Sequence, residues 1–269
     1  MGPRSQVTRL DPPRETNLGV EKKVVLVTGG ARGVGLGIAK VLADLGAVPV
    51  ICARNPTDDA LALGEFIACD VRDEASVTTM VAQIVETYGS LDGVVNNAGG
   101  SPFALAADAS SSFAGKIVEL NLLAPLLVAR AANAVMQQQE SGGAIVNVSS
   151  VSGHRPSPGT SAYGAAKAGL DNAATSLAVE WAPRVRINSV IAGPVETELA
   201  QMHYGDADGV AAVGRTIPMG RMATPEDVGN AVAFLLSPLA GYITGSMLTV
   251  HGGGEKPAFL DAANAGNAL

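Results

Sequence analysis

Tyr163 and Lys167 stand four residues apart in the stretch Ala162 to Trp181, whose apolar spacing predicts a helix. That separation is about one helical turn, so the phenol and the ammonium share a face and neighbour each other. A free tyrosine titrates at about pH 10, too high to serve as a base near neutrality, and a nearby ammonium favours the phenolate. The pair is therefore suited to exchanging a proton with a bound substrate. Ser150, 13 residues before Tyr163, offers a hydroxyl that can hydrogen-bond a substrate oxygen and stabilise charge growing on it. Singly, each has a plainer reading as an exposed lysine, a half-buried tyrosine or a capping serine. Their joint occurrence with the motifs upstream favours chemistry.

A second chemistry is written nearer the N-terminus. Thr28-Gly29-Gly30-Ala31-Arg32-Gly33-Val34-Gly35 follows the apolar run Lys23 to Thr28 and opens a segment of helical period, with Val34, Ile38, Val41, Leu42 and Leu45 on one face. Glycines there let the backbone turn sharply and approach a pyrophosphate, whose charge is favoured at a helix N-terminus. The spacing, Gly-x-x-x-Gly-x-Gly, differs from the G-x-G-x-x-G dinucleotide fingerprint.

The elements that must position these residues alternate along the chain. Strand-length runs at Lys23 to Thr28, Val48 to Ala53, Phe66 to Cys69, Gly93 to Asn96, Ala144 to Ser149, Val185 to Ile191 and Met247 to Val250 are separated by helical patterns. One long helix is expected over Ile117 to Val135, bent at Pro125. Thr224-Pro225-Glu226-Asp227 reads as an N-cap, a first-turn proline and first-turn acids. This order implies a single α/β domain with a doubly wound, Rossmann-like parallel sheet over residues 22–254. A polar N-terminal arm (1–21) and a C-terminal tail (255–269) flank it. In such a sheet the ligand site lies beyond the carboxyl ends of the strands, where strand order reverses. The motifs follow the first, second, fourth, fifth and sixth strands, as that rule requires.

Thr28 to Gly35 resembles the TGxxxGxG loop of the short-chain dehydrogenase/reductase superfamily, in its single-domain branch. Further motifs follow in that family's order: Asn96-Asn97-Ala98-Gly99 after the fourth strand, Asn121 in the next helix, Ser150, and Tyr163-Gly-Ala-Ala-Lys167. The resemblance covers roughly residues 22 to 254. It implies an oxidoreductase that moves a hydride between a nicotinamide cofactor and a carbonyl or secondary alcohol, with Tyr163 as general acid/base. It also implies that Lys167 binds the nicotinamide ribose and that Asn121 helps hold a water in a proton relay. Cofactor contacts are expected from Gly29, Arg32, Gly33, Val34, Gly35, Asp70, Val71, Asn97, Ala98, Gly99, Gly193, Val195 and Thr197. Ser149 competes with Ser150, but neighbouring strand residues face opposite ways, and the 13-residue spacing to Tyr163 favours Ser150.

The cofactor's phosphate is legible as well. NAD sites of this architecture place an acid after the second strand to take the ribose hydroxyls. Here that position is Ala53, followed by Arg54, and Arg32 is a second cation in the glycine loop. Two guanidiniums and no carboxylate suit a 2′-phosphate, so NADP(H) is expected in preference to NAD(H). Two departures from the family pattern stand out: Ala192 replaces the proline usual before Gly193, and His251 replaces the acid usual before Gly252-Gly253. The histidine is read as structural.

Composition bounds the remaining functions. Hydrophobic residues make up 47% and charged residues 16%, enough apolar side chain for a large core. The net charge of −7 disfavours nucleic acid or an anionic membrane as a partner. Cys52 and Cys69 lie in strand-like runs and read as buried reduced thiols, and the N-terminal residues lack a signal-like apolar region; a cytoplasmic setting is expected. His154, His203 and His251 share no close spacing, so no metal site is expected. Ala231 to Val250 is uncharged and long enough to span a bilayer. Its Ser237-Pro238, Gly241 and Gly245 predict a helix, a turn and a strand instead.

Substrate contacts are expected from Gly100 to Phe103, Ser152 to Pro158, Pro194 and a lid-like insertion, Leu199 to Pro218, whose composition suits an apolar molecule of moderate size. Small residues at Ala162, Gly164, Ala165, Ala166, Ala168 and Gly169 allow close helix approach, and with the family's habit they suggest a homotetramer. An NAD(H)-dependent alcohol dehydrogenase, an enoyl reductase, a catalytically silent dinucleotide-binding protein and a structural subunit are the alternatives. Family enoyl reductases typically place six residues between tyrosine and lysine, where this chain has three.

Overall fold

The computed structural model describes residues 18–262. Seven strands, β1 (Val24–Thr28), β2 (Val48–Ala53), β3 (Glu65–Ala68), β4 (Gly93–Asn96), β5 (Gly143–Ser150), β6 (Val185–Ala192) and β7 (Met247–Val250), form one sheet in the order β3-β2-β1-β4-β5-β6-β7. Every pairing is parallel. The order reverses between β1 and β4, which opens a crevice at their carboxyl ends.

Among the described residues nine α-helices connect the strands and a tenth follows them: α1 (Gly33–Asp44), α2 (Asp58–Leu63), α3 (Glu74–Tyr88), α4 (Ser111–Val118), α5 (Ala124–Met136), α6 (Ser161–Trp181), α7 (Ala200–Tyr204), α8 (Ala207–Thr216), α9 (Pro225–Leu236) and α10 (Ala258–Ala262). Side-chain alternation along the strands divides the core into two layers. Leu26, Val50, Cys52, Val94 and Ile145 face α3, α5 and α6, whereas Val25, Val27, Ile51, Val95 and Val146 face α1 and α9. All five residues of β1 are buried, as a run with two covered faces predicts. Cys52 and Cys69 are free buried thiols of the first layer.

The helix expected over Ile117 to Val135 begins earlier and changes winding. α4 and α5 are joined by a π turn, Glu119–Leu123, closed by Ala124 N–H donating to the Glu119 carbonyl. Pro125 explains the position, because it has no N–H for the Asn121 carbonyl four residues back. The irregularity therefore falls on the turn before the proline. The short α2 was not expected, though Thr57 caps it by accepting from Ala60 N–H, and Asp58 and Asp59 occupy its first turn.

The uncharged run Ala231 to Val250 divides as expected, into the end of α9, a 3₁₀ turn at Pro238–Ala240 and β7. α9 carries the capping box of Thr224 and Asp227, with Pro225 at its start. Among the described residues one helical run, Ser111–Met136, is long and apolar enough by composition to cross a membrane. Here Ala124, Val128, Ala129, Ala132 and Met136 of that run pack on the sheet. The insertion Leu199 to Pro218 folds as α7 and α8. Most of the expected N-terminal arm, residues 1–17, lies outside the described residues, as do 263–269 of the tail. Leu18 and Val20 already pack against the α1 side of the core or lie buried. Lys256 N–H donates to the Thr216 carbonyl, which ties the start of the tail to the C-terminal end of α8.

α1 and α9 meet at very short range, and glycine permits it. A Cβ on Gly37 would lie 2.2 Å from Pro225 Cβ, and one on Gly229 would lie 2.8 Å from Val41 Cγ2. Gly37→Val should therefore destabilise the fold by about 1–3 kcal/mol through overpacking, read as a lower urea midpoint. An unchanged midpoint would contradict this packing.

Candidate active site

The glycine loop is shaped by what lies across from it. Gly29 has φ +64°, and a Cβ there would come within 2.8 Å of Ala98 Cα; a Cβ on Gly35 would fall 2.4 Å from the Gly29 carbonyl oxygen. The loop is bolted to the end of β4. Thr28 Oγ1 donates to the Val95 carbonyl and accepts from Asn97 and Ala98 N–H, while Asn97 Nδ2 donates to the Thr28 and Gly29 carbonyls. α1 starts at Gly33 with no side-chain cap, so its first amides keep their donor capacity at the positive end of the helix. Thr197 lies beside this end, its Cγ2 being 3.7 Å from where a Gly33 Cβ would sit. A bare backbone cradle of this kind fits a pyrophosphate.

Asn121 is fully buried in the π turn. Its Oδ1 accepts from Gly100 N–H, and its Nδ2 donates to the Gly100 and Ile117 carbonyls, so the side chain clamps the loop after β4. Gly99 lets this clamp meet the neighbouring lysine. A Cβ on Gly99 would lie 2.6 Å from Asn121 Oδ1 and 3.5 Å from Lys167 Nζ.

Tyr163 and Lys167 project from the first turns of α6 towards the end of β5. Lys167 is 3% exposed; its Nζ donates to the Val148 carbonyl at 2.7 Å and lies 5.7 Å from the centre of the Tyr163 ring. Burial holds Lys167 down at about 8, and the carboxylate of Asp171, one turn further along α6, opposes that fall. Tyr163 is pushed above its ordinary value by burial, against the pull of its hydrogen bond with Ser150; Tyr204 and Asp171 add to the rise. The expected lowering of the phenol by the ammonium is thus outweighed by desolvation in the protein alone. Ser150 and Ser149 meet different residues of α6. Ser150 engages Tyr163 and accepts from Ser152 N–H, whereas Ser149 Oγ donates to Asp171 Oδ2 at 2.7 Å.

At the far end of the crevice, Arg54 and Arg32 are exposed, and no hydrogen bond or ion pair holds either guanidinium among the described residues. Asp70 is held by Arg72, which donates from its backbone N–H and from Nε to Oδ1 and from a terminal nitrogen to Oδ2 at 2.5 Å. That pairing keeps the Asp70 carboxyl at about 2. Val71 is buried in the core layer under α3. Val195 bridges to Ala223, and Gly193 lies against His251, where a Cβ would meet that residue at 2.8 Å. Among the described residues no group of His, Cys, Asp and Glu is placed to hold a metal.

Three further side chains bear on the site; His154 and Tyr204 fall in stretches expected to contact substrate, and Asp171 lies outside every such segment. Asp171 and His154 bond each other behind Ser149, and Tyr204 of α7 acts on Tyr163. Asp171 could have been found as the next member of the stripe 163, 167 and 171 on α6. His154 carries no such periodic signal.

Comparison with known proteins places this geometry. A family model described as enoyl-(acyl carrier protein) reductase matches residues 29–255. The human dehydrogenase/reductase SDR family member 4 is 34% identical over 93% of this chain and 91% of its own length. The 3-oxoacyl-[acyl-carrier-protein] reductase FabG of Chlamydia muridarum is 35% identical over 86% and 96%. Among solved structures, the ligand-free aldohexose dehydrogenase of Thermoplasma acidophilum superposes with a TM-score of 0.83 at 30% identity, covering 93% of this chain and 98% of that one.

The Thr28 hydroxyl serves three main-chain groups at once; the Ala98 amide depends on it as acceptor, while the Asn97 amide also reaches the Val95 carbonyl. Thr28→Val keeps the shape and removes the oxygen. It should destabilise the protein by about 1–3 kcal/mol for an amide left buried and unpaired, measured by urea unfolding. A change of only a few tenths would mean that the Ala98 amide finds another partner.

Proposed function

Because the chain belongs to the short-chain dehydrogenase/reductase family, we propose that it is an NADP(H)-dependent oxidoreductase that interconverts a carbonyl and a secondary alcohol, with Tyr163 exchanging the proton. The observation that carries this reading is the meeting of Ser150 with the Tyr163 phenol, beside a buried Lys167, at the mouth of the crevice. The amides of Gly33, Val34 and Gly35 would hold the pyrophosphate, with Thr197 beside them, and Asn97, Ala98 and Gly99 would border the nicotinamide half. The bound dinucleotide supplies the hydride for reduction or takes it in oxidation.

The chain's own residues do the rest. In reduction Ser150 donates to the substrate carbonyl oxygen and holds it against Tyr163. As the carbon gains its hydride, the phenol proton passes to that oxygen, leaving alcohol and phenolate. The high resting position of Tyr163 keeps the proton in place for this step, and the Lys167 ammonium balances the phenolate that results. Oxidation reverses each transfer. Asn121 keeps the loop above the site closed through Gly100, and it is the residue expected to help hold the relay water. Phe103, Met202 and Tyr204 would meet an apolar substrate of moderate size.

The exposed Arg32 and Arg54, with Ala53 in place of an acid, favour NADP(H) over NAD(H). Arg72 is committed to Asp70 and adds little to that choice. Three residues between Tyr163 and Lys167 favour keto reduction over enoyl reduction, despite the description attached to the matching family model. The same residues argue against a silent dinucleotide-binding protein. A homotetramer in the cytoplasm is the setting proposed. Val179, Leu239, Tyr242 and Met247 leave apolar surface exposed on this chain for subunit contact.

Screening NADPH oxidation against a panel of ketones tests the activity, and Tyr163→Phe tests the mechanism. The variant should retain cofactor affinity and fall to well below about a tenth of the wild-type rate, since a positioned acid contributes roughly 10²–10⁴-fold. A rate above that level would remove Tyr163 from its role. For cofactor choice, losing a charge-assisted contact costs about 1.5–3 kcal/mol, roughly 10- to 150-fold in affinity. Arg54→Ala should raise the KM for NADPH by that order and leave the KM for NADH nearly unchanged, while Ala53→Asp should invert the preference. Equal use of both cofactors by the unaltered protein would make the two arginines ordinary surface groups.

A further inference from the structure

Three side chains, one turn apart on α6, meet three successive residues of β5. The Tyr163 phenol lies beside the Ser150 hydroxyl, Lys167 Nζ donates to the Val148 carbonyl, and Asp171 Oδ2 accepts from Ser149 Oγ. The first two belong to the proton transfer proposed above, and the third has no role in it. Asp171 is 2% exposed, and an ionised carboxylate so buried requires compensation. Oδ2 has two partners, Ser149 Oγ and His154 Nε2, the latter at 3.0 Å from the turn that follows β5. Oδ1 is buried with no hydrogen-bond partner among the described residues. Lys167 stands one turn back on the same face, with its ammonium equally removed from water.

We propose that Asp171, steadied by His154 and Ser149, is a positioning residue that supplies the counter-charge for the buried Lys167 ammonium and so keeps the proton-transfer pair in its working state. A buried ammonium loses its hydration and tends to shed its proton unless an opposite charge stays close. Asp171 is the charge that resists this loss at Lys167. Few other charges face the pair. His154 meets Asp171 from the turn after β5, Arg155 of the same turn bonds Glu255 of the tail, and Tyr204 faces Tyr163 from α7. Val148, Ser149 and Ser150 of β5 and Asn121 of the π turn are uncharged. The stripe therefore joins two tasks: it pins the end of β5 at three consecutive residues, and it places a carboxylate one turn behind the lysine that serves the tyrosine.

The sign of the effect follows from the negative charge of a carboxylate that shares one helix face with the ammonium and the phenol. Asp171 raises both Lys167 and Tyr163, so removing its charge lowers both. The alkaline limb of the pH–rate profile for reduction, where the pair sheds protons, then moves to lower pH. This inference rests on reading Tyr163 as the acid, and the two fail separately: that reading fails if Tyr163→Phe stays active, this one on where the limb lies.

The test is the pH dependence of kcat/KM for NADPH-dependent reduction of the best ketone in the panel. It is measured for the unaltered protein, Asp171→Asn, Asp171→Ser, Asp171→Glu and His154→Ala, with a urea midpoint for each. The two neutral replacements guard against one of them failing to fold. Both should move the alkaline limb down by about one pH unit or more, and Asp171→Glu should restore it. His154→Ala, at a half-exposed turn position, removes a partner of the carboxylate but not the carboxylate itself, and should move the limb less than Asp171→Asn does. A rate lowered by one constant factor at every pH in the neutral variants would overturn the proposal and leave Asp171 a purely structural anchor. So would a downward shift in His154→Ala as large as in Asp171→Asn.

Discussion

A lysine buried to 3% exposure at the carboxyl end of β5 is the constraint around which the site is arranged. An ammonium out of water must be held by hydrogen bonds and opposite charge, and its surroundings must be close-fitting without being apolar. The Val148 carbonyl takes one of its protons. That carbonyl is available because β5 ends in the crevice, two residues before the strand gives way to a 3₁₀ turn. The topology thus supplies an acceptor where the helix needs one. The same helix returns a phenol to Ser150 and a carboxylate to Ser149, so strand end and helix fix each other's register.

Glycines set how closely the other walls approach. Gly99 must lack a Cβ for Asn121 to lie against it, and Gly29 must lack one to lie on Ala98. The π turn serves the same geometry. It lies one turn before Pro125 and directs Asn121 inwards, where its side-chain amide is held by Gly100 and Ile117. Thr28 and Asn97 carry the constraint across the switch point to the glycine loop. The loop after β4 and the glycine loop after β1 are therefore parts of one hydrogen-bonded frame.

Much of this was legible before any coordinates. The period-2 and period-3.6 patterns located the seven strands within one or two residues, since fully buried parallel strands leave continuous apolar runs such as Val24–Thr28. The glycine loop, Ser150, Tyr163 and Lys167 could be singled out by residue type and spacing, and Asn121 by the resemblance to the family. Other features escaped for physical reasons. The π turn depends on a missing amide proton whose effect is felt four residues upstream, so Pro125 suggested a bend in the wrong turn. The resting state of Tyr163 depends on burial, which no spacing encodes, and desolvation reversed the sign expected from its lysine neighbour. His154 meets Asp171 across a 17-residue separation through a turn, a contact that only tertiary structure creates.

The most direct measurement is the titration of Lys167 itself, followed by NMR of lysine ε-carbons in the intact protein and assigned with Lys167→Arg. The buried ammonium, opposed by desolvation and supported by Asp171, should titrate at about 8. A midpoint in the ordinary lysine range near 10.5 would mean that the ammonium is not desolvated, and the account of the site built on its burial would be contradicted.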